Sequence, residues 1–364
     1  MAATAVAALR NLIACQIVLL AMLHFCCGTA LVPALFVFGD STVDTGNNNF
    51  LKASQTRADH LPYGRDLVPP GPAGRFSNGK LPVDYIAEFL GLPYPIDYYN
   101  PDAQGLNLLQ GVNFASAGSG YLDSTGASSG SVIFTQQLKN FKLAQQSLVE
   151  LIGAANIADW MANCIFVISS GGNDIIDYQK SFDERITYTS EEFNSMLTAT
   201  VANHIKSLYD LGARKIVIIS AGPLGCLPVA LTVFLSLSGG CINGVNAQAR
   251  SYNAGLVGAL SQLNKQLEGA RIVYGNAYDP ILAAVQNPEA SGFKYGNKAC
   301  CGDGIYGGFS YCTTSSTLCA DASEYVFWDL IHPTQAMYKI LSDGIVYGPS
   351  PLASPVNLST LVTL

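Results

Sequence analysis

The sequence predicts an α/β fold: a central parallel sheet of about five strands with helices on both faces. Three observations carry that prediction. Short continuous runs rich in Val, Ile and Phe recur along the chain, segments with helical patterning lie between them, and most runs exit into glycine and small polar residues. Continuous rather than alternating apolar runs suit strands buried on both faces, and strands that alternate with helices build parallel sheets.

Strands are expected at residues 35–38, 112–115, 164–169, 215–220 and 271–274, and helices at 81–90, 136–152, 191–211 and 246–267. In such sheets the ligand site lies beyond the carboxyl ends of the strands. The residues that follow the first four runs are Gly39-Asp40-Ser41, then 116–120, then 171–174, then Gly222-Pro223. Small residues at these exits let backbone approach a ligand closely.

At 364 residues and 49% hydrophobic composition the chain can bury a sizeable core, and neither a tandem repeat nor a strong linker divides it. Residues 31–348 read as one domain, with 69–74 and 116–131 as surface loops inside it and 349–364 as a C-terminal tail. Residues 1–30 have the order of a signal peptide: the single charged residue Arg10, an apolar stretch over 12–25, then Gly28, Thr29 and Ala30. That stretch is shorter than the ~20 residues a membrane span needs, and no later segment is apolar enough to cross a bilayer. Cleavage near Ala30 removes Arg10 and takes the formal charge from -7 to -8. With 19 Lys+Arg against 26 Asp+Glu and no basic run, nucleic acid is a poor candidate partner.

Loss of Cys15, Cys26 and Cys27 with the signal leaves seven of ten cysteines, and an oxidising compartment makes disulfides their default state. Cys226 and Cys241 flank a Gly-rich loop, while Cys300, Cys301, Cys312 and Cys319 crowd into twenty residues, which suggests one bridge plus two with the connectivity left open. Cys164 is the odd one and reads as a buried free thiol at the start of an apolar run. The clustered four lack the paired C-x₂-C knuckles of structural zinc. The one N-x-S/T sequon, Asn357-Leu358-Ser359, offers a glycan site.

Three histidines remain after residue 30: His60, His204 and His332. His60 in a polar loop and His204 within a helical pattern read as surface or packing residues. His332 differs, because it stands in Trp328-Asp329-Leu330-Ile331-His332-Pro333-Thr334 with an acid three residues upstream. Pro333 suits the first position of a helix, so the segment can hold Asp329 and His332 at one helix entrance. An acid placed there accepts the Nδ1 proton and leaves Nε2 free to act as a base. A helix cap accounts for the string nearly as well. At the other exits, Ser41 can present its hydroxyl to the crevice or serve as an N-cap, and Asn173 can point its amide there or simply make a turn. With the Gly118 N–H, the Ser41 N–H and Asn173 amide make three donors for a developing oxyanion.

Two lookalike motifs fail their own context. Gly126-Ala127-Ser128-Ser129-Gly130 matches a nucleophile elbow, yet no apolar strand leads into it. Gly302-Asp303-Gly304-Ile305-Tyr306-Gly307 matches a dinucleotide loop but follows a cysteine pair instead of a strand.

Four blocks in order, Phe38-Gly39-Asp40-Ser41 with 44–48, then 111–118, then Gly171-Gly172-Asn173-Asp174, then Phe327-Trp328-Asp329 with His332-Pro333-Thr334, closely resemble the plant-type GDSL esterase/lipases of the SGNH hydrolase family. The likeness extends through 74–80, 222–226 and 299–302 and spans roughly residues 33–343. It implies a flavodoxin-like three-layer α/β/α sandwich, with Ser41 as nucleophile, Gly118 and Asn173 completing the oxyanion hole, and Asp329 and His332 completing the triad. No metal or organic cofactor is implied. Thr42 stands where the family name expects Leu, a change that leaves the chemistry intact. The implied activity is hydrolysis of carboxylic esters by a secreted enzyme, in the apoplast or in the Golgi or another endomembrane lumen. Acyl esters or lipids, O-acetyl groups of wall polysaccharide, or acyl transfer to an alcohol all use such a triad, and a non-catalytic binding protein on the same fold is a further reading. Acyl length and oligomeric state stay open.

Overall fold

A computed structural model describes residues 30–364. The expected signal peptide, with Cys15, Cys26 and Cys27, lies outside these residues apart from Ala30. The strands are β1 Leu35–Gly39, β2 Ile96–Asp97, β3 Val112–Asn113, β4 Ile165–Ser169, β5 Lys215–Ile219, β6 Arg271–Gly275, β7 Tyr295–Ala299, β8 Tyr325–Phe327 and β9 Ala353–Ser354. Seven form one sheet in the order β2-β3-β1-β4-β5-β6-β9, parallel throughout except for β9 against β6. The α/β class with a mostly parallel sheet, and all five expected strands, are present. β1 and β4 are buried along their whole length, as their unbroken apolar runs require.

Among the described residues, seven helices have nine residues or more: α1 Pro82–Leu90, α2 Phe134–Ile152, α3 Gly172–Lys180, α4 Ser190–Asp210, α5 Asn243–Gln266, α6 Tyr278–Gln286 and α7 Gln335–Tyr347. α2, α4 and α5 pack together in one layer, and α1, α6 and α7 in the other. Phe36, Phe38, Phe114 and Phe141 interlock where the first layer meets the sheet, with ring centroids 5.1–5.7 Å apart. Each such ring stabilises the fold by about 1.5–3 kcal/mol relative to exposure.

From β1 the chain next builds β2 and β3 to one side, then β4, β5 and β6 to the other. The strand order therefore reverses between β1 and β4. That switch point opens a crevice beyond the carboxyl ends of these two strands, which is where residues 40–42 and 170–174 stand.

Three departures from the sequence expectations have physical causes. β3 ends after Asn113, not at 115, because beyond the Tyr98 N–H bond to the Asn113 carbonyl (2.9 Å) side chains take the outer-edge groups: the Asn113 Oδ1 accepts the Ala115 N–H (2.8 Å) and the Asn47 Nδ2 donates to the Ala115 carbonyl (2.9 Å). The expected tail 349–364 is instead part of the sheet: β9 closes the edge of β6, and a turn of helix at Leu358–Leu361 buries both of its leucines. Segments of two and four residues are too short to leave a periodic pattern. Finally, β7 and β8 form a separate two-stranded sheet that no apolar run announced.

Candidate active site

The backbone turns away from the sheet at Gly39, whose φ of +136° leaves no room for a side chain: a Cβ would collide with the Ser169 carbonyl. The buried Gln137 amide clamps this point, accepting the Gly39 N–H and donating to the Gly39 carbonyl, both at 2.9 Å. Asp40 then accepts the Thr42 N–H (2.9 Å) and hydroxyl (2.7 Å), closing a turn that carries Ser41 at its apex. Burial pushes the Asp40 carboxyl up to about 6, against the Thr42 bonds and the nearby imidazole. Ser41 is 7% exposed, and its Oγ meets the Nε2 of His332 at 2.8 Å instead of capping a helix.

His332 reaches that position from a tight loop. The Trp328 N–H donates to the His332 carbonyl at 2.7 Å, and Pro333 bridges back to Phe327. Asp329 lies inside the loop with both carboxylate oxygens 2.9 Å from the His332 Nδ1. It also accepts the Ile331 and His332 N–H groups (2.9 and 2.7 Å) and the Tyr63 hydroxyl (2.7 Å). Burial would raise the Asp329 carboxyl, but the imidazole and these N–H donors outweigh it and hold the group below its ordinary value. The same burial and the same carboxylate push the Tyr63 hydroxyl well above its ordinary value, so it stays a donor. Helix α7 begins at Gln335, not at Pro333 as expected, with Thr334 as its cap. Thr334 wins because its hydroxyl both accepts the Met337 N–H (3.3 Å) and donates to the Tyr325 carbonyl (2.7 Å). Asp329 and His332 therefore sit in the turn before the helix.

Gly118 and Asn173 line the same open cleft as Ser41 and His332. Neither the Ser41 nor the Gly118 N–H meets an acceptor among the described residues. Asn173 gives one amide hydrogen to the Ser119 carbonyl at 2.9 Å, which fixes its orientation and leaves the second hydrogen unassigned. The loops bearing these donors are braced by two buried carboxylates to which the sequence pattern assigns no role. Asp44 accepts the N–H groups of Gly46, Asn47 and Ala117 at 2.8–2.9 Å. Asp174 accepts those of Tyr121 and Leu122, both at 2.9 Å, and the Thr125 hydroxyl at 2.8 Å. Residues 74–80 brace the histidine side in the same manner. Arg75 grips Asp84 of α1 through two bonds (2.7 and 2.8 Å), Phe76 packs 5.0 Å from the His332 ring, and Ser77 donates to the Pro333 carbonyl at 3.2 Å.

On its other side Ser41 borders a second, narrow cavity of about 100 Å³ that is lined mainly by aliphatic side chains. Of the remaining sequence candidates, Cys226 is bridged to Cys241, Cys300 to Cys319 and Cys301 to Cys312, while Cys164 is free and buried. Asn357 caps the last helical turn, its Oδ1 accepting the Thr360 N–H (3.0 Å) and its Nδ2 donating to the Gly348 carbonyl (3.2 Å). His204 bonds the Tyr121 carbonyl at 3.0 Å as a packing residue, whereas His60, also expected to be inert, stands on the cleft wall. Both lookalike motifs form loops: Ala127–Ser129 is a single 3₁₀ turn, and Gly302 and Gly307 lie among the disulfides. No helix among the described residues is long and apolar enough to cross a membrane.

The family described as GDSL-like Lipase/Acylhydrolase matches residues 35–345. The chain is 39% identical over 341 residues to the Arabidopsis thaliana protein named GDSL esterase/lipase At1g71250, covering 93% of this chain and 91% of that one. It is 38% identical to GDSL esterase/lipase At5g03820 of the same plant, over 90% and 94% of the two chains. With GDSL esterase/lipase APG, also from Arabidopsis thaliana, it shares 39% identity over 87% and 90%. The chain therefore belongs to the GDSL-like lipase/acylhydrolase family of carboxylic ester hydrolases.

Proposed function

We propose that this protein hydrolyses carboxylic esters through an acyl-enzyme on Ser41. The observation that carries the reading is the continuous relay from Ser41 Oγ to His332 Nε2 (2.8 Å) and from His332 Nδ1 to Asp329 (2.9 Å). His332 takes the Ser41 proton as Oγ attacks the ester carbonyl carbon, while Asp329 holds the tautomer and stabilises the imidazolium. The oxyanion accepts hydrogen bonds from the Ser41 N–H, the Gly118 N–H and the Asn173 amide, each worth about 2.7–4 kcal/mol in the transition state. Collapse breaks the bond to the alcohol oxygen, which leaves with the proton from His332. Water then attacks the acyl group with His332 again as base, releasing the acid and restoring Ser41.

Secretion is part of the same reading. Residues 1–30 and three disulfides support passage through an oxidising compartment. N-terminal sequencing of the mature protein is expected to start near residue 31, and a retained Met1 would contradict it. The catalytic test is Ser41→Ala beside wild type on a chromogenic short-chain ester. Its kcat should fall by about 10⁴-fold or more, and equal rates would overturn the serine mechanism.

A further inference from the structure

Ser41 stands between two unlike spaces. The open cleft carries Gln55, Arg57, His60, Asp177 and Lys180 and is dressed for a polar, hydrated group. The narrow cavity on the other side is walled by Ile219, Ala221, Leu224, Leu227, Ile281 and Leu341. Its one formally charged neighbour, Asp40, is turned into its bonds with Thr42.

We propose that the acyl chain of the substrate enters this narrow cavity while the alcohol part stays in the polar cleft, and that the cavity selects short acyl chains with roughly four carbons beyond the carbonyl. The inference rests on the serine-esterase reading above. An apolar cavity of about 150 Å³ holds benzene, with six carbons. In proportion, about 100 Å³ holds about four. The far wall sets the limit. Leu224, Leu227 and Ile176 line this cavity on one side and, on the other, an outer groove formed with Val229, Ala230, Val233 and Phe234. Leu224 and Leu227 are each only 7% exposed, so a longer chain meets a partition already packed in place.

The test uses the full chain and a series of esters that share one alcohol: acetyl, butyryl, hexanoyl, decanoyl and palmitoyl. Relative to acetyl, kcat/KM should rise by up to about fourfold per buried methylene as the cavity fills, peak at butyryl or hexanoyl, and fall at decanoyl. Leu227→Ala joins cavity to groove and should raise the decanoyl-to-acetyl ratio by about tenfold or more. Ala221→Leu fills the cavity and should lower the hexanoyl-to-acetyl ratio by a similar factor. Circular dichroism identifies any variant that misfolds, and the wild-type profile alone still decides. A maximum at acetyl, or at decanoyl and beyond, overturns the inference while leaving the serine mechanism standing, as do unmoved ratios in two folded variants. Failure to hydrolyse any ester overturns the underlying reading, and the inference with it.

Discussion

The two halves of the site are held by different means. Around Ser41, loops are fixed by buried side chains that bond backbone: Asp44, Asn47, Gln137 and Asp174 together satisfy N–H and C=O groups from residues 39 to 122. Around His332, Asp329 and Ser77 also bond backbone, and covalent fixation is added from the periphery. Cys300 and Cys301 are bridged, their N–H groups donate to the Phe327 and Trp328 carbonyls (3.0 and 2.7 Å), and Arg65 lies 5.1 Å over the Trp328 ring. The difference follows from where each half sits. The first is enclosed by the main core, where a dry surrounding makes each polar bond strong and each unpaired group costly. The second rests on a small cluster around Tyr63, Phe76 and Trp328, too few apolar groups to order a loop unaided, and the disulfides supply the constraint.

The largest effect is expected on the nucleophile side. Asp44→Ala strands three backbone N–H groups in the core and should cost about 3–6 kcal/mol, enough to abolish folding at ordinary temperature. A chemical denaturation curve within about 1 kcal/mol of wild type would break the comparison. Serine replacement of the Cys300–Cys319 and Cys301–Cys312 pairs, with Cys226–Cys241 left intact, should act on the other half alone. It should remove about 2–4 kcal/mol of restraint per bridge and abolish esterase activity while far-UV circular dichroism keeps the signal of the seven-stranded sheet. Joint loss of both signals would show the histidine side to be integral to the core. Smallest is Tyr63→Phe, which deletes one of several donors to Asp329 at the junction of the halves. A loss of about 1.4 kcal/mol, or tenfold in kcat/KM, with little change in thermal midpoint is expected, and unchanged kinetics would remove Tyr63 from the positioning network.

Strands buried on both faces leave an unmistakable trace, so 35–39, 165–169 and 215–219 are legible as sequence, and with them the exits that carry Ser41 and Asn173. Ser41, Gly118, Asn173, Asp329 and His332 stand out as site candidates because each belongs to a small polar block at a strand or helix end. What stays hidden is everything whose meaning is a long-range partner. Nothing local in Tyr63 points to a carboxylate 266 residues away, and nothing in Gln137 points to Gly39. β9 and the turn at 358–361 are too short for any periodicity to register, and their burial depends on the edge of β6. The start of α7 lies two residues beyond the expected one because Pro333 looks like a helix opener, and only the Tyr325 carbonyl shows why Thr334 takes the cap.

The most direct test of the central claim is covalent. A fluorophosphonate ester phosphonylates an activated serine with loss of fluoride, and mass spectrometry of the digested protein then locates the adduct. One adduct per chain on the peptide that contains Ser41, abolished in His332→Ala, is the predicted result. Labelling of Ser129 or another residue, or no adduct on a protein that still hydrolyses esters, would contradict it.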